Sequence, residues 1–292
     1  MSEISIEDSL PQTTLASLDI AGAVAHLTLR RDDVFNALNP ELIDDITELL
    51  EWTSHRSVAE RGALTDDSGA PYLRVVVLAG AGRHFCAGAD IDWMRDAGTK
   101  SSEENRADSE RLDRLFNNLW SHPCFTIASV HGVALGGGAG LVACCDHAIA
   151  TSGSRIALSE AKLGILPAVI GPYVYRRVGS AQFRRLATLA GTFEPEEALM
   201  IGMVDQIAAS AEDASRLIDE AIETVLTTGP VAVKEAKSLT DSFDRWMGTD
   251  EELREWALDK TSEMRASAEG QEGLAAFLEG RKPTWSSEDQ DG

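Results

Sequence analysis

The chain has 292 residues, 43% of them hydrophobic, which is enough for one large α/β core or a core with an appendage. Its 26 Lys and Arg stand against 48 Asp and Glu, and the formal net charge of −22 argues against a nucleic-acid or anionic-membrane partner, which would need clustered Lys and Arg. No run of about 18 apolar residues is available to span a bilayer, and the first residues lack the basic and apolar regions of a signal peptide, so a cytoplasmic protein is expected.

In chain order, the first dozen residues read as a lead-in. "AVAHLTL" (23–29) predicts a strand by alternation and β-branching. "LNPELIDDITELLEW" predicts a helix, with Asn39 as N-cap, Pro40 at the first helical position, and Leu42, Ile46, Leu49 and Leu50 at helical spacing. Residues 54–71 are polar and punctuated by Gly and Pro, which predicts a surface excursion. "RVVVLAG" (74–80) is a continuous apolar run of the kind buried on both faces of a parallel sheet.

A Gly-rich loop, "GAGRHFCAGADIDWM", follows, then an acidic stretch and an amphipathic helix ending before Pro123. "FTIASV" (125–130) is a further buried strand, with short strands in "HAIA" and "SRIAL". From about residue 180 the pattern is almost wholly helical. The reading is an α/β core over 14–200 and a helical region over 201–285, with a parallel sheet whose binding site lies at the strand C-termini. The cysteines Cys86, Cys124, Cys144 and Cys145 show no Cys-x-x-Cys spacing, so reduced, buried thiols and no metal site are expected.

The stretch "HGVALGGGAGLVACCD" (131–146) crowds Gly136, Gly137, Gly138 and Gly140 into what otherwise reads as the start of an apolar helix. Each Gly costs roughly 0.5–1 kcal/mol relative to Ala inside a helix, so a side chain there must be in the way. Tight helix–sheet packing and close approach of a ligand both account for the spacing. Neither a dinucleotide fingerprint with its acidic residue nor a Walker-type G-K-[ST] is present. Bare N–H groups at a helix N-terminus can donate to an oxygen that develops negative charge, and "FCAGADI" offers a second such turn at a neighbouring strand end. Two turns donating to one carbonyl oxygen make an oxyanion hole, in which each donor is worth about 3–4 kcal/mol.

Glu160 stands in "RIALSEAKLGILPAVIGPYVYRRVG" among Leu158, Leu163 and Ile165. It reads either as a solvated surface charge or as a carboxylate whose pKa desolvation raises toward that of a general acid or base. His84 and His131 read as structural histidines, and Cys86 has no base paired with it. Trp93, Met94, Tyr173 and Tyr175 read equally as walls of a pocket or as core.

Taken together and in order, "HFCAGADIDWM", "VHGVALGGGAGLVACCD", "LSEAKLGILP" and "EGQEGLAAFLEGRKPTW" resemble the crotonase (enoyl-CoA hydratase/isomerase) superfamily from about residue 23 to 285. The resemblance implies a crotonase-like α/β fold: a spiral of ββα turns followed by a helical C-terminal trimerisation region, with trimers commonly paired into hexamers. It also implies acyl-CoA thioester substrates, with coenzyme A as part of the substrate and no separate cofactor or metal. Carried over by motif, the backbone N–H groups of Ala89 and Gly137 hold the thioester oxygen, and Glu160 is the acid/base. Arg30, Arg31, Val34, Asn36, Ala37 and Leu38 fall in the segment that lines CoA, and Ala87, Asp90, Ile91, Gly136 and Gly140 fall in the substrate-binding motifs. Arg281 and Lys282 are candidates for a phosphate contact across subunits, whereas Asp32 and Asp33 stand where the family often places a basic residue.

Gly140 is the main departure. Familiar hydratases of the family carry a glutamate in that segment and another in the segment of Glu160, whereas only the latter is present here. One carboxylate suits isomerisation between C2 and C4; it also suits syn addition of water, and enolate stabilisation alone suits decarboxylation. Within the family, the same segments are most similar to bacterial hydratases of branched glutaconyl-CoA, the 3-methylglutaconyl and isohexenylglutaconyl type, which also have glycine there. Arg95, Arg176 and Arg177 are the candidates to meet a second substrate carboxylate. The first helix, "PELIDDITELLEW", carries no Lys or Arg, so no RNA partner is expected.

Overall fold

The computed structural model describes residues 9–286; of the lead-in expected over the first dozen residues, 1–8 lie outside the described residues. β1 (Ala16–Ala21) and β2 (Val24–Leu29) form an antiparallel hairpin. The predicted first helix follows as α1 (Pro40–His55), where the Asn39 carboxamide oxygen accepts from the Leu42 N–H at 2.9 Å and Pro40 opens the first turn. The expected excursion contains a short α2 (Val58–Arg61). β3 (Val75–Gly80), α3 (Ile91–Ala97), α4 (Ser102–Trp120) and β4 (Phe125–Val130) come next, then β5 (Val133–Leu135), α5 (Gly137–Cys144), β6 (His147–Thr151) and β7 (Arg155–Ala157).

The remaining elements are α6 (Gly171–Leu189), α7 (Pro195–Met200), β8 (Gln206–Ala208), α8 (Ala211–Leu226), α9 (Pro230–Asp244), α10 (Asp250–Ala266) and α11 (Ala268–Glu279). Helix therefore begins at Gly171, before the position expected from the pattern, and β8 lies beyond residue 200 yet still belongs to the sheet. Three residues of "QIA" are too short for alternation to register, and they form a strand because β6 offers them a free edge.

The main sheet has the order β1-β2-β3-β4-β6-β8, parallel except at the β1/β2 hairpin, and β5 pairs with β7 in a separate parallel ladder. Register lines up Leu27, Leu78, Ala128 and Ala148 on one face, against a core that includes Leu42, Ile46 and Leu49 of α1 and Leu115, Phe116 and Leu119 of α4. Val75, Val77, Ile127 and Ile149 face the other way, onto Ile218 and Ile222 of α8. Helices cover both faces, which is why β3 reads as an unbroken apolar run instead of alternating. The sheet thus extends past the division expected at 200/201, and α8 completes its second layer. No helix among the described residues is long and apolar enough to cross a membrane.

The buried Arg74, just before β3, ties this layer to the chain end. Its guanidinium donates to the carbonyls of Val225 (2.9 Å) and Leu226 (2.9 Å), of Thr228, and of Trp285 (2.7 Å). The first two lie in the last turn of α8, at the negative end of the helix dipole, where a cation is favoured. Arg74→Met keeps the apolar stem but takes the guanidinium donor from the carbonyls of Leu226, Thr228 and Trp285, and from that of Val225, which still accepts from the Thr228 N–H at 3.0 Å. We expect it to lower the urea-unfolding free energy by about 2–4 kcal/mol and to make the segment after α11 more susceptible to limited proteolysis; an unchanged unfolding midpoint would contradict this role.

Candidate active site

Three chain segments meet beyond the C-terminal ends of β2, β3 and β4. The first, residues 30–38, turns through Phe35 (φ 59°) and Asn36 (φ 54°), both in the left-handed region. Asn36 is buried and braces the turn, accepting from the Arg31 N–H at 2.9 Å and donating to the carbonyls of Ala81 (2.9 Å) and His84 (2.7 Å). Leu38 then bridges the second segment on both sides of Ala89: its N–H donates to the Gly88 carbonyl at 2.7 Å, and its carbonyl accepts from the Asp90 N–H at 2.9 Å.

The second segment also bridges the third. The Cys86 N–H donates to the Val133 carbonyl and the Leu135 N–H donates to the Cys86 carbonyl, each at 3.0 Å. Gly88, at φ 91°, lies so close to the third segment that a Cβ would stand 2.6 Å from the Leu135 carbonyl oxygen. A Cβ on Gly138 would stand 2.4 Å from the Cys86 carbonyl oxygen. These two glycines let backbone pack on backbone.

Between Phe85 and Asp90 most N–H groups are used: Phe85 donates to the His131 carbonyl, Cys86 to Val133, Ala87 to Phe35 and Asp90 to Leu38. Among the described residues the Ala89 N–H has no acceptor within the chain. On the third segment the Gly136 N–H donates to the Ala157 carbonyl at 2.8 Å, and the first bond inside α5 is that from Gly140 to the Gly136 carbonyl at 3.0 Å. The intervening N–H groups of Gly137, Gly138 and Ala139 are the orphan donors of a helix start, at its positive end. Gly136 precedes them at φ 49° and ψ −114°, a conformation open to glycine alone.

Glu160 opens a 3-10 turn, Glu160–Leu163, between β7 and α6. Its carboxyl lies against the start of α5: a Cβ on Gly136 would be 3.1 Å from Oε1 and 3.6 Å from Cδ. Oε2 is buried and has no hydrogen-bond partner. Burial raises the pKa of this carboxyl above its ordinary value. The apolar neighbours differ from those expected. Leu158 is buried, but Leu163 and Ile165 are 60% and 48% exposed, because the chain turns outward at Gly164 (φ 72°). The carboxyl packs instead beside Gly136, just before α5.

Gly140 faces neither loop nor solvent. A Cβ there would stand 2.4 Å from Ile170 Cγ2 and 3.0 Å from Phe116 Cε1, so the room for a side chain at 140 is already filled. Phe116 and Ile170 escaped notice in the sequence, where one is an ordinary apolar-face residue of α4 and the other sits in the run "GILPAVIG". A Cβ on Gly137 would meet Leu38 Cδ1 at 2.8 Å, which places Leu38 beside the helix start.

Ala37 is buried, Val34 and Ala87 are half-buried, and Ile91 is exposed at the first position of α3. The Arg30 side chain donates to Ser17 Oγ at 2.6 Å, and so is drawn to β1. Asp90, expected to meet substrate, has both carboxylate oxygens committed: Oδ1 accepts from the N–H groups of Asp92 and Trp93, and Oδ2 from Arg31. Burial would raise the Asp90 pKa, but the Trp93 N–H and Arg31 outweigh it and hold the carboxyl below its ordinary value. Lys282 lies apart from these loops within one chain, since nearby Trp285 is held by Arg74 at the opposite end of β3. Arg281 is paired with Glu272 and Glu279.

Arg95 pairs with Asp92 on the surface, Arg176 with Asp244, and Arg177 with Asp205. Burial pushes the Cys86 thiol up to about 12, so it is not a nucleophile at neutral pH. Burial, with Arg83 and His131 nearby, lowers the His84 pKa, and its ring packs edge-on against Phe35 at 4.8 Å. His131 Nε2 lies 3.2 Å from the Gly82 carbonyl. Tyr173 is core, packed on Phe116 and Trp120, whereas Tyr175 is half exposed; Trp93 donates to Asp108 at 3.0 Å and Met94 is half-buried.

Known proteins share this arrangement of chain. The family model described as Enoyl-CoA hydratase/isomerase matches residues 19–288. The short-chain-enoyl-CoA hydratase of Clostridium acetobutylicum is 30% identical over 268 residues, covering 91% of this chain and 95% of its own. The crotonyl-CoA hydratase of Syntrophomonas wolfei is 29% identical over 274 residues, covering 90% and 95%. Among solved structures, an enoyl-CoA hydratase from Shewanella pealeana superposes with a TM-score of 0.85 at 32% identity, covering 98% of this chain and all of that one.

The contact at residue 140 is open to direct test. Gly140→Ala forces a methyl group into Ile170, and should cost about 1–3 kcal/mol in urea unfolding. Ile170→Ala removes the obstructing methyl, so the double variant should lose less than the sum of the two single losses, whereas strict additivity would show that the two residues do not touch.

Proposed function

The chain belongs to the enoyl-CoA hydratase/isomerase family and is an enzyme of the crotonase superfamily, and on that premise we propose that it adds water to, or removes it from, a 2-enoyl-CoA. The observation that carries this reading is an unpartnered carboxylate oxygen of Glu160 lying beside the helix start that supplies the Gly137 N–H. Polar groups that a fold leaves buried and unsatisfied are costly, and a ligand that satisfies them accounts for that cost.

The steps follow from the positions. The thioester oxygen accepts from the Ala89 and Gly137 N–H groups, which polarises the conjugated double bond toward C3. Ionised Glu160 takes a proton from water as the water oxygen bonds to C3. The electron pair of the double bond moves onto the thioester oxygen as an enolate, where the two N–H groups and the dipole of α5 hold it. Protonated Glu160 then returns the proton to C2, and the carbonyl reforms. One carboxylate serves in turn as base and acid, a role favoured by a pKa raised toward the working pH. Coenzyme A is part of the substrate, and no step calls for a metal or another cofactor.

For the acyl group, we infer a branched glutaconyl-CoA such as 3-methylglutaconyl-CoA. The support is the similarity of the segments around Gly140, Glu160 and the C-terminal "EGRKPTW" to hydratases of that type. Isomerisation of a 3-enoyl-CoA is the second reading. It is favoured by the packing of Ile170 and Phe116 against Gly140, which leaves Glu160 as the one acid/base in this reading and so suits a proton shuttle between C2 and C4.

A homotrimer, or a hexamer made of two trimers, fits the exposed apolar side chains of the C-terminal helices. Phe277 and Leu278 are 83% and 82% exposed, and Leu258, Leu274 and Phe243 are also uncovered. Beside them, a mostly apolar cavity of about 640 Å³ opens between α9, α10 and α11. Association through this face also supplies a way for Lys282 to reach a neighbouring subunit's substrate.

The test is a panel of 3-methylglutaconyl-CoA, crotonyl-CoA and a 3-enoyl-CoA, followed by the absorbance of the conjugated thioester. Hydration removes that absorbance from the first two, and isomerisation creates it from the third. Glu160→Gln should lower kcat by roughly 10²-fold or more. The rate should also fall as pH drops through the Glu160 pKa, which burial places above the ordinary carboxylate value, because the base must be ionised. No absorbance change with any of the three would end this reading.

A further inference from the structure

Two charged side chains, Arg31 and Asp90, form a clamp beside the Ala89 donor. The Gly88 carbonyl and the Ala89 N–H belong to one planar, trans peptide unit and so point in opposite directions. The Leu38 N–H holds that carbonyl at 2.7 Å, which turns the Ala89 N–H away from residues 30–38. Whatever fixes Leu38 therefore fixes the donor.

A single nitrogen ties the residue before Leu38 to the residue after Ala89. Arg31 Nη1 donates to the carbonyl of Ala37, immediately before Leu38, at 2.9 Å. The same nitrogen donates to Oδ2 of Asp90, immediately after Ala89, at 2.6 Å. The other carboxylate oxygen of Asp90 caps α3, accepting from the Asp92 and Trp93 N–H groups at 2.9 and 3.0 Å, so the carboxylate cannot swing to follow the arginine. The loop that carries Arg31 holds two non-glycine residues, Phe35 and Asn36, in left-handed conformations, which persist only where the surroundings over-determine them. The side chain of Asn36 braces that turn, and Arg31 and Asp90 tie the braced loop to the segment of the donor.

We propose that Asp90 and Arg31 are positioning residues of the oxyanion hole, acting as one unit to orient the Ala89 N–H. The inference rests on the reading that this N–H receives the thioester oxygen. It assigns Asp90 to the aim of the donor, not to contact with the ligand, and it gives Arg31 a role other than binding phosphate.

The test compares kcat and KM for 2-enoyl-CoA hydration by wild type, Arg31→Met, Arg31→Lys, Asp90→Asn and the Arg31→Met/Asp90→Asn pair, with thermal melts alongside. Misdirecting one donor weakens the transition state more than the bound substrate. Each single neutral variant should therefore lose about 10- to 100-fold in kcat with KM within about twofold of wild type. The pair should be no worse than either single variant. Arg31→Lys keeps the charge but has a compact ammonium in place of the fork, and should fall between wild type and Arg31→Met. An Arg31→Met enzyme with kcat within about twofold of wild type, or a pair whose loss is the product of the single losses, overturns the clamp even if melting temperatures fall. A wild type with no activity on any 2-enoyl-CoA overturns the underlying reading and this inference with it, and so is distinguishable from failure of the clamp alone.

Discussion

The candidate site depends on two stretches of backbone lying closer together than side chains allow. The segments that follow the adjacent strands β3 and β4 are joined through Cys86, Gly88, Leu135 and Gly138, and a Cβ at either glycine would overlap a carbonyl oxygen of the other segment. That approach brings the unpaired N–H of Ala89 and the start of α5 to one place. A parallel sheet supplies it naturally, because adjacent strands end on the same side and their following loops are neighbours. The cost is a helix that begins with glycines, and its stability comes from burial: Leu141, Val142, Ala143 and Cys144 are all within the core.

Much of this was legible from residue order. The continuous apolar runs of β3 and β4 reported a sheet covered on both faces, and Asn39-Pro40 marked the start of α1. The glycine cluster reported a close approach. What residue order could not separate was the reason for each glycine, because tight packing and room for a ligand use the same residue. In the structure Gly138 and Gly140 serve packing, Gly136 supplies a backbone conformation, and Gly137 lies at the helix start against Leu38. Long-range partners were equally hidden. Nothing within 59 positions of sequence links Arg31 to Asp90, and a carboxylate in a ligand-binding motif reads as a ligand contact until its hydrogen bonds are known. The sequence neighbours of Glu160 do not reveal its setting, since the carboxyl packs beside Gly136, twenty-four positions earlier.

The charge of the chain and the charge of the site are separate matters. A net charge of −22 is spread over exposed side chains that salt screens beyond about 8–10 Å. Close to α5 the field is set by unpaired N–H groups and by one buried carboxyl whose ionised form is disfavoured. A site built from dipoles and a single adjustable proton can accept a developing anion inside a strongly acidic protein, because the short-range groups are unscreened and the distant ones are not.

The filling of the space beside Gly140 by Ile170 and Phe116 also bears on how such a site changes through time. A single codon change that placed glutamate at 140 would drive its side chain into two buried residues, Phe116 of α4 and Ile170 just before α6, so its chemistry would come at a cost in folding. Shrinking Ile170 first would leave a void with no immediate return. A carboxylate at 140 and the close packing of Ile170 and Phe116 therefore exclude one another, and a change at one position depends on a change at the other. New activities on this scaffold are more accessible through the exposed rim at Ile91, Leu163, Ile165 and Leu166, where substitutions are nearly free of cost to the core.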